Sequence, residues 1–388
     1  MTRSLLLFSF LAAWNFAHAR YTVKIVITDV PSLHRQDKIF ITGAFNGWSP
    51  DDPGSLVTKE GNTYEYTLKN QAPGLLEFKF TRGSWKTLES TSDGRLVAPR
   101  KAILQGDTTL YCKIENWRDD FPESTASPRV TLWKEALFIP GLENSKKVWV
   151  YLPKGYEQGE RRYPVIYMHD GQDLFDEATS QGRIGPLEWG VDETIDSARN
   201  GAIVIAIEHD AARETRIKEY YVRPNKSYPE VYGTQYLDYI VNTLKPEVDR
   251  TFRTRADKAN TLMVGSSMGG LLTYYAGMLY PETFGILGVL SPSIWLDEQN
   301  IYKEIVSLEK TEPIKTQKYF FYGGGNENRK KPDGSFVTMN EDVLKSSAEF
   351  QRYGSEIKIS INPEGRHGAW YWRTAFQEFY QWTSKNFN

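Results

Sequence analysis

Downstream of residue 129 the apolar positions fall mostly in short unbroken runs. Residues 164–168, 202–207, 261–264, 288–290 and 318–322 read this way, and 357–361 adds an alternating strand pattern. Continuous apolar runs of this length fit strands buried on both faces of a parallel sheet. Helix-like stretches follow two of them, at 270–276 and 369–387. The expectation is a mostly parallel sheet with helices on both faces. Upstream the pattern changes to an all-β one, with strands predicted at 21–28, 38–43, 62–68, 76–82 and 109–115 and turn residues between them. That is the pattern of an immunoglobulin-like sandwich. Asp119-Asp120, Pro122, Ser124 and Ser127-Pro128 mark a polar linker. The predicted division is 20–116 for the sandwich, 117–128 for the linker and 129–388 for the α/β domain.

Residues 1–19 read as a cleavable secretory leader, with a short basic start, an apolar core from Leu5 to Trp14 and small residues at Ala17-His18-Ala19. The expected location is periplasmic or extracellular. No other run has the length of a membrane span.

Composition narrows the classes. The chain has 388 residues, 40% of them hydrophobic and 14% aromatic, enough for two cores. A formal net charge of −2 gives no reason to expect nucleic acid as a partner. The single cysteine, Cys112, has no internal disulfide partner, and its place in a strand pattern predicts a buried apolar residue.

The candidate chemistry centres on Gly265-Ser266-Ser267-Met268-Gly269. It stands between an apolar run and a helix-like stretch, the sequence form of a sharp strand-to-helix turn that exposes one serine. A serine hydroxyl needs a neighbouring base to become a good nucleophile. In the α/β-hydrolase order of Ser, acid, His, only His367 of the five histidines follows Ser267 outside the leader. Glu327, directly after the strand-like 318–322, is the expected acid, with Asp333 on the same loop in reserve. The backbone amides of Met268 and Gln172 are the expected oxyanion donors, with Gly171 allowing close approach. Arg213, Arg216 and Glu219 follow the strand at 202–207 and read either as substrate contacts or as a structural ion-pair network. Trp295 is preferred over Trp370 and Trp372 for the pocket wall. His169 and Asp170 lack a third ligand at metal spacing, so no metal is expected, and no organic cofactor.

Together His169-Asp170-Gly171-Gln172, Gly265-Ser266-Ser267-Met268-Gly269-Gly270, Ser291-Pro292-Ser293-Ile294-Trp295 and Gly365-Arg366-His367 resemble the esterase group that includes esterase D, carbohydrate esterase family 1 and the enterochelin esterases. The resemblance implies an α/β-hydrolase fold, with Ser267 as nucleophile, His367 as base and Glu327 as acid; many members carry Asp at the acid position. Gly43-Ala44-Phe45-Asn46-Gly47-Trp48-Ser49-Pro50 and the later 78–85 segment resemble starch-binding modules of carbohydrate-binding families 20 and 48. That resemblance makes Trp48 and Trp85 candidates for stacking on a sugar ring, against a packing role. The expected function is hydrolysis of feruloyl or acetyl esters on a polysaccharide. Two alternatives remain: a siderophore esterase with a cationic pocket supplied by Arg213 and Arg216, and a carbohydrate-binding protein with an inactive hydrolase domain.

Overall fold

The unbroken apolar runs become the inner strands of one eight-stranded sheet. In the computed structural model, which describes residues 19–387 apart from 62, 143, 181–186, 298–299, 309–311, 331–333 and 335, the chain divides into two compact units. The larger begins at Ser124. Its strands are β1 (Val130–Leu137), β2 (Lys146–Tyr151), β3 (Val165–Met168), β4 (Ile203–Ile207), β5 (Thr261–Ser266), β6 (Ile286–Leu290), β7 (Lys318–Gly324) and β8 (Glu356–Asn362). They lie in the order β1-β2-β4-β3-β5-β6-β7-β8. β2 runs antiparallel to both its neighbours, and every pair from β4 to β8 is parallel.

Period-two geometry explains why both faces need apolar side chains. Val165 and Tyr167 of β3, Ile203, Ile205 and Ile207 of β4 and Leu287 and Val289 of β6 enter one buried cluster. Their neighbours Ile166, Met168, Val204, Ala206, Ile286 and Leu290 enter another. Helices cover the two faces, and five matter below: α1 (Val191–Ser197), α2 (Arg213–Tyr220), α3 (Met268–Leu279), α4 (Met339–Arg352) and α5 (Ala369–Thr383). Tyr274, Tyr275 and Met278 of α3 seal the first cluster. Ile195 of α1 and Phe376, Phe379 and Tyr380 of α5 seal the second. Among the described residues, no helix is long and apolar enough to cross a membrane.

The smaller unit contains a four-stranded sheet, with Thr58–Glu60, Thr63–Gln71, Tyr21–Asp29 and Thr108–Lys113 in that order, and a three-stranded one of Phe40–Gly43, Gly74–Thr81 and Arg100–Leu104. Val23, Ile25 and Ile27 from the first and Ile41, Phe78 and Phe80 from the second share one core. Trp117 is part of that core and Arg118 is buried, so this unit continues past the boundary predicted at residue 116. The polar residues after it had signalled a linker, but an aromatic anchor precedes them. Cys112 is buried and unbridged, and burial pushes its thiol up. Residues 1–18 of the predicted leader 1–19 lie outside the described residues.

An acidic cluster forms at the start of α1. Glu188, Asp192 and Glu193 bring carboxylate oxygens within 4.8 Å of one another. Asp192 is 0% exposed and accepts from the Ser127 amide at 2.7 Å, while Arg373 pairs with Glu188 at 3.0 Å. Burial, then the Glu193 charge, pushes the Asp192 carboxyl up to about 8. Burial raises Glu188 to about 7 against the pull of Arg373. The folded chain therefore holds protons that the unfolded chain releases near pH ~4. Stability is expected to fall as pH rises from that value through 7 and 8. Thermal unfolding at pH 5 and pH 8 checks this: the decline is expected to shrink in Asp192→Asn, and an unchanged decline would contradict the assignment.

Candidate active site

Ser267 sits at the junction of β5 and α3 with φ 55° and ψ −116°. A non-glycine residue in such a conformation costs roughly 1–3 kcal/mol, so the surroundings must hold it there. Three backbone hydrogen bonds do so. Its amide donates to Leu290 O at 2.9 Å, and its carbonyl accepts from the amides of Leu271 at 3.1 Å and Ser293 at 2.9 Å. Ser267 is the only residue between Thr261 and Met278 that is not fully buried. The flanking glycines serve packing as well as the turn: a Cβ on Gly265 would stand 2.4 Å from Gly269 O and 2.7 Å from the His169 ring.

His367 is on the loop between β8 and α5, and its Nε2 is 2.9 Å from Ser267 Oγ. Glu327 leaves the end of β7, is buried, and points Oε2 at His367 Nδ1 across 3.5 Å. The loops carrying them are tied together by Gly325 N to Asn362 O at 2.7 Å and Asn326 N to Gly365 O at 2.8 Å. Gly325 is required there, because a Cβ would meet Pro363 O at 2.3 Å. Asp333 lies outside the described residues. Asp342 stands in the first turn of α4 and accepts from the Tyr302 hydroxyl at 3.0 Å.

The loop after β3 presents a different chemistry. The Gln172 side chain is pinned from both ends, donating to His209 O and accepting from His209 N, each at 3.1 Å. Its amide precedes the first internal donor of the short helix Gly171–Asp173, which is the Asp173 amide. Gly171 is packed against β4: a Cβ would come within 2.8 Å of the Ala206 carbonyl. That packing is by itself a reason for glycine at this position.

Arg216 donates to both oxygens of Asp170 at 2.9 Å and lies 5.0 Å over the Tyr220 ring. Burial works to raise the Asp170 carboxyl, but Arg216 and then His209 outweigh it and hold it below the usual range. His209 itself is lowered by burial and raised more strongly by Asp173 and Asp170, ending above its ordinary value. Glu219 forms a buried ion pair with Lys146. Of the two readings left open for these charges, the ion-pair network is the one formed by Arg216 and Glu219. Arg213 is exposed at the first turn of α2. His169 packs on Tyr220 and Tyr236 beneath the turn, and burial lowers it to about 4.

Among the tryptophans, Trp372 meets His367: its ring stands edge-on to the imidazole, centroids 4.9 Å apart at 88°. Trp295, the one preferred from sequence, is half-buried on the turn Ile294–Asp297. Two serines missed as site residues also reach the centre. Ser293 Oγ is 3.1 Å from Ser267 Oγ, and Ser291 Oγ is 2.7 Å from Glu327 Oε1. Their only sequence signal was the Ser-Pro-Ser motif itself. Trp48 and Trp85 are half-buried and outside the core of the smaller unit.

Comparison with known proteins places these features in context. A family model described as "Putative esterase" matches residues 139–382, more than half of the chain. A bifunctional endo-1,4-beta-xylanase/feruloyl esterase of Xylanibacter ruminicola is 25% identical over 260 residues, which are 65% of this chain and 30% of the relative. A siderophore triacetylfusarinine C esterase of Aspergillus fumigatus is 28% identical over 164 residues, covering 41% of this chain and 53% of the relative. Thus the chain spans less than two thirds of either relative. Among solved structures, the enterobactin esterase of Shigella flexneri has a similar fold, with a TM-score of 0.51 over 89% of this chain and 88% of that one at 14% identity.

Arg216→Met leaves Asp170 buried without its partner, and the expected cost is about 3–5 kcal/mol in urea unfolding. Full stability combined with a raised KM would instead make Arg216 a substrate contact.

Proposed function

We propose, given that this chain belongs to the esterase family, that it hydrolyses carboxylic esters through Ser267, His367 and Glu327 and an acyl-enzyme. Ester hydrolysis itself follows from the family and from relatives named as esterases. The observation that carries the mechanism is the 2.9 Å contact between Ser267 Oγ and His367 Nε2 at a strained strand-to-helix turn. In this reading Ser267 Oγ attacks the ester carbonyl carbon while its proton passes to His367 Nε2. Glu327 accepts the Nδ1 proton in a hydrogen bond and stabilises the imidazolium. The amides of Met268 and Gln172 hold the oxyanion, supported by the position of Met268 at the start of α3 and by the pinned Gln172 side chain. His367 then protonates the departing alkoxide. Water, deprotonated by the same histidine, attacks the acyl-enzyme and frees the acid and Ser267.

For the substrate, the proposal is an acyl ester of a polysaccharide, feruloyl or acetyl, met outside the cytoplasm after removal of the leader. The feruloyl esterase relative supports the acyl side. The smaller unit, read as a sandwich-type binding module with Trp48 and Trp85 half-buried outside its core, supports the polysaccharide side. The siderophore-esterase relative favours a second reading, cleavage of an ester in an enterochelin-type catecholate siderophore. Such a ligand calls for cationic contacts. Arg216 is already neutralised by Asp170, which leaves that reading resting on Arg213.

Ser267→Ala and His367→Ala are each expected to lower kcat on p-nitrophenyl acetate by about a thousandfold or more, and Glu327→Ala by less. Undiminished turnover in either of the first two, with the protein folded, would refute the assignment. Side-by-side hydrolysis of methyl ferulate, acetylated xylan and ferric enterobactin tests the substrate: preference for either of the first two is expected, and preference for the third supports the siderophore reading instead.

A further inference from the structure

The mechanism above leaves the Ser291-Pro292-Ser293 motif without a part, yet its two hydroxyls touch both ends of the site. Ser293 reaches the nucleophile at 3.1 Å and Ser291 reaches the acid at 2.7 Å. Ser291 is 0% exposed and holds φ 44°, a conformation that non-glycine residues adopt only under constraint. Its amide is secured to Tyr322 O at 2.8 Å, next to the end of the strand that carries Glu327.

Hydrogen-bond chemistry settles where the Ser291 proton points. Indole N–H only donates, so the 3.0 Å contact between Trp372 Nε1 and Ser291 Oγ uses an oxygen lone pair. The hydroxyl then has one proton left to give, and Glu327 Oε1 is the acceptor 2.7 Å away. With Oε1 occupied, Oε2 is the oxygen turned toward His367 Nδ1. The ring of the same tryptophan stands edge-on to the His367 imidazole. One side chain thus meets the base directly and the acid through a single hydroxyl. A glutamate has one more rotatable bond than an aspartate, and each free rotamer must be ordered at an entropic cost. A second anchor on its carboxylate removes that freedom.

We infer that Ser291 and Trp372 are positioning residues that fix the Glu327 carboxylate against His367. The inference rests on the reading of Glu327 as the acid, and it reaches beyond that reading by naming what holds the acid in register. The Ser291 hydroxyl and the Trp372 indole N–H reach the site only through the Glu327 carboxylate, so removing either acts through Glu327 while the Trp372 ring contact with His367 is kept.

A double-mutant cycle tests this on the full chain. Ser291→Gly removes the hydroxyl while suiting a positive φ, and Trp372→Phe removes the indole N–H while keeping an aromatic ring. Each is expected to lower kcat by about tenfold or more with KM within about twofold, as for an interaction that matters in the transition state. The acid limb of the kcat/KM profile is expected to move to lower pH, because a loosened carboxylate supports the imidazolium less. In a Glu327→Ala background the same changes should cost less than about twofold, since the residue they act through is gone. An equal loss in both backgrounds, or an unmoved acid limb, would overturn the inference and leave the triad reading in place. If Glu327→Ala alone is harmless, the reading of the acid fails and the inference fails with it.

Discussion

The backbone of Ser267 is the constraint on which the rest of the site depends. A serine with positive φ between a fully buried strand and a helix buried from Met268 to Met278 is unfavourable in isolation. It persists because Leu290 O, Ser293 N and Leu271 N all bind its peptide groups. Two of those partners belong to the end of the next strand and the loop beyond it. The turn therefore exists only once β5 and β6 are paired in register, from Leu262 opposite Ile286 to Ser266 opposite Leu290. Gly265 and Gly270 follow from the crowding around this turn, since a Cβ would stand 2.4 Å from Gly269 O at the first and 2.7 Å from Leu290 O at the second. The core thus sets the conformation at the site.

Around that turn the candidate site residues come from strand ends. Gln172 follows β3, Ser267 follows β5, Ser291 and Ser293 follow β6, Glu327 follows β7 and His367 follows β8. In an open parallel sheet the carboxyl ends of the strands lie on one side, so residues far apart in sequence converge there. The neighbouring charges are largely satisfied internally. Asp170 is held by Arg216, Glu219 by Lys146, and Glu188 by Arg373.

How much of this was legible in the sequence depended on whether the signal was local. The position of Ser267 at a strand-to-helix turn could be read because strand, turn and helix fall within a few residues of it. Chain order singled out His367 among the histidines, and the fold brings its Nε2 to 2.9 Å from Ser267 Oγ. The inner strands were evident as apolar runs, since burial on both faces leaves no polar positions to confuse them. What could not be read were contacts between distant side chains. Ser291 meets Glu327 across 36 positions and Trp372 across 81, and nothing in their local sequence marks either partner. Arg216 was left open for the same reason, because only the fold brings it to Asp170. The packing of Gly171 on β4 and the place of Trp117 in a core likewise depend on residues distant in sequence.

The central claim is that Ser267 is the nucleophile, and covalent trapping addresses it most directly. The purified protein would be treated with diethyl p-nitrophenyl phosphate, digested, and the modified peptide sequenced by mass spectrometry. One diethylphosphoryl group on Ser267, formed in step with loss of esterase activity and absent in His367→Ala, is the predicted result. Modification of another residue, or inactivation with Ser267 unmodified, would contradict the account.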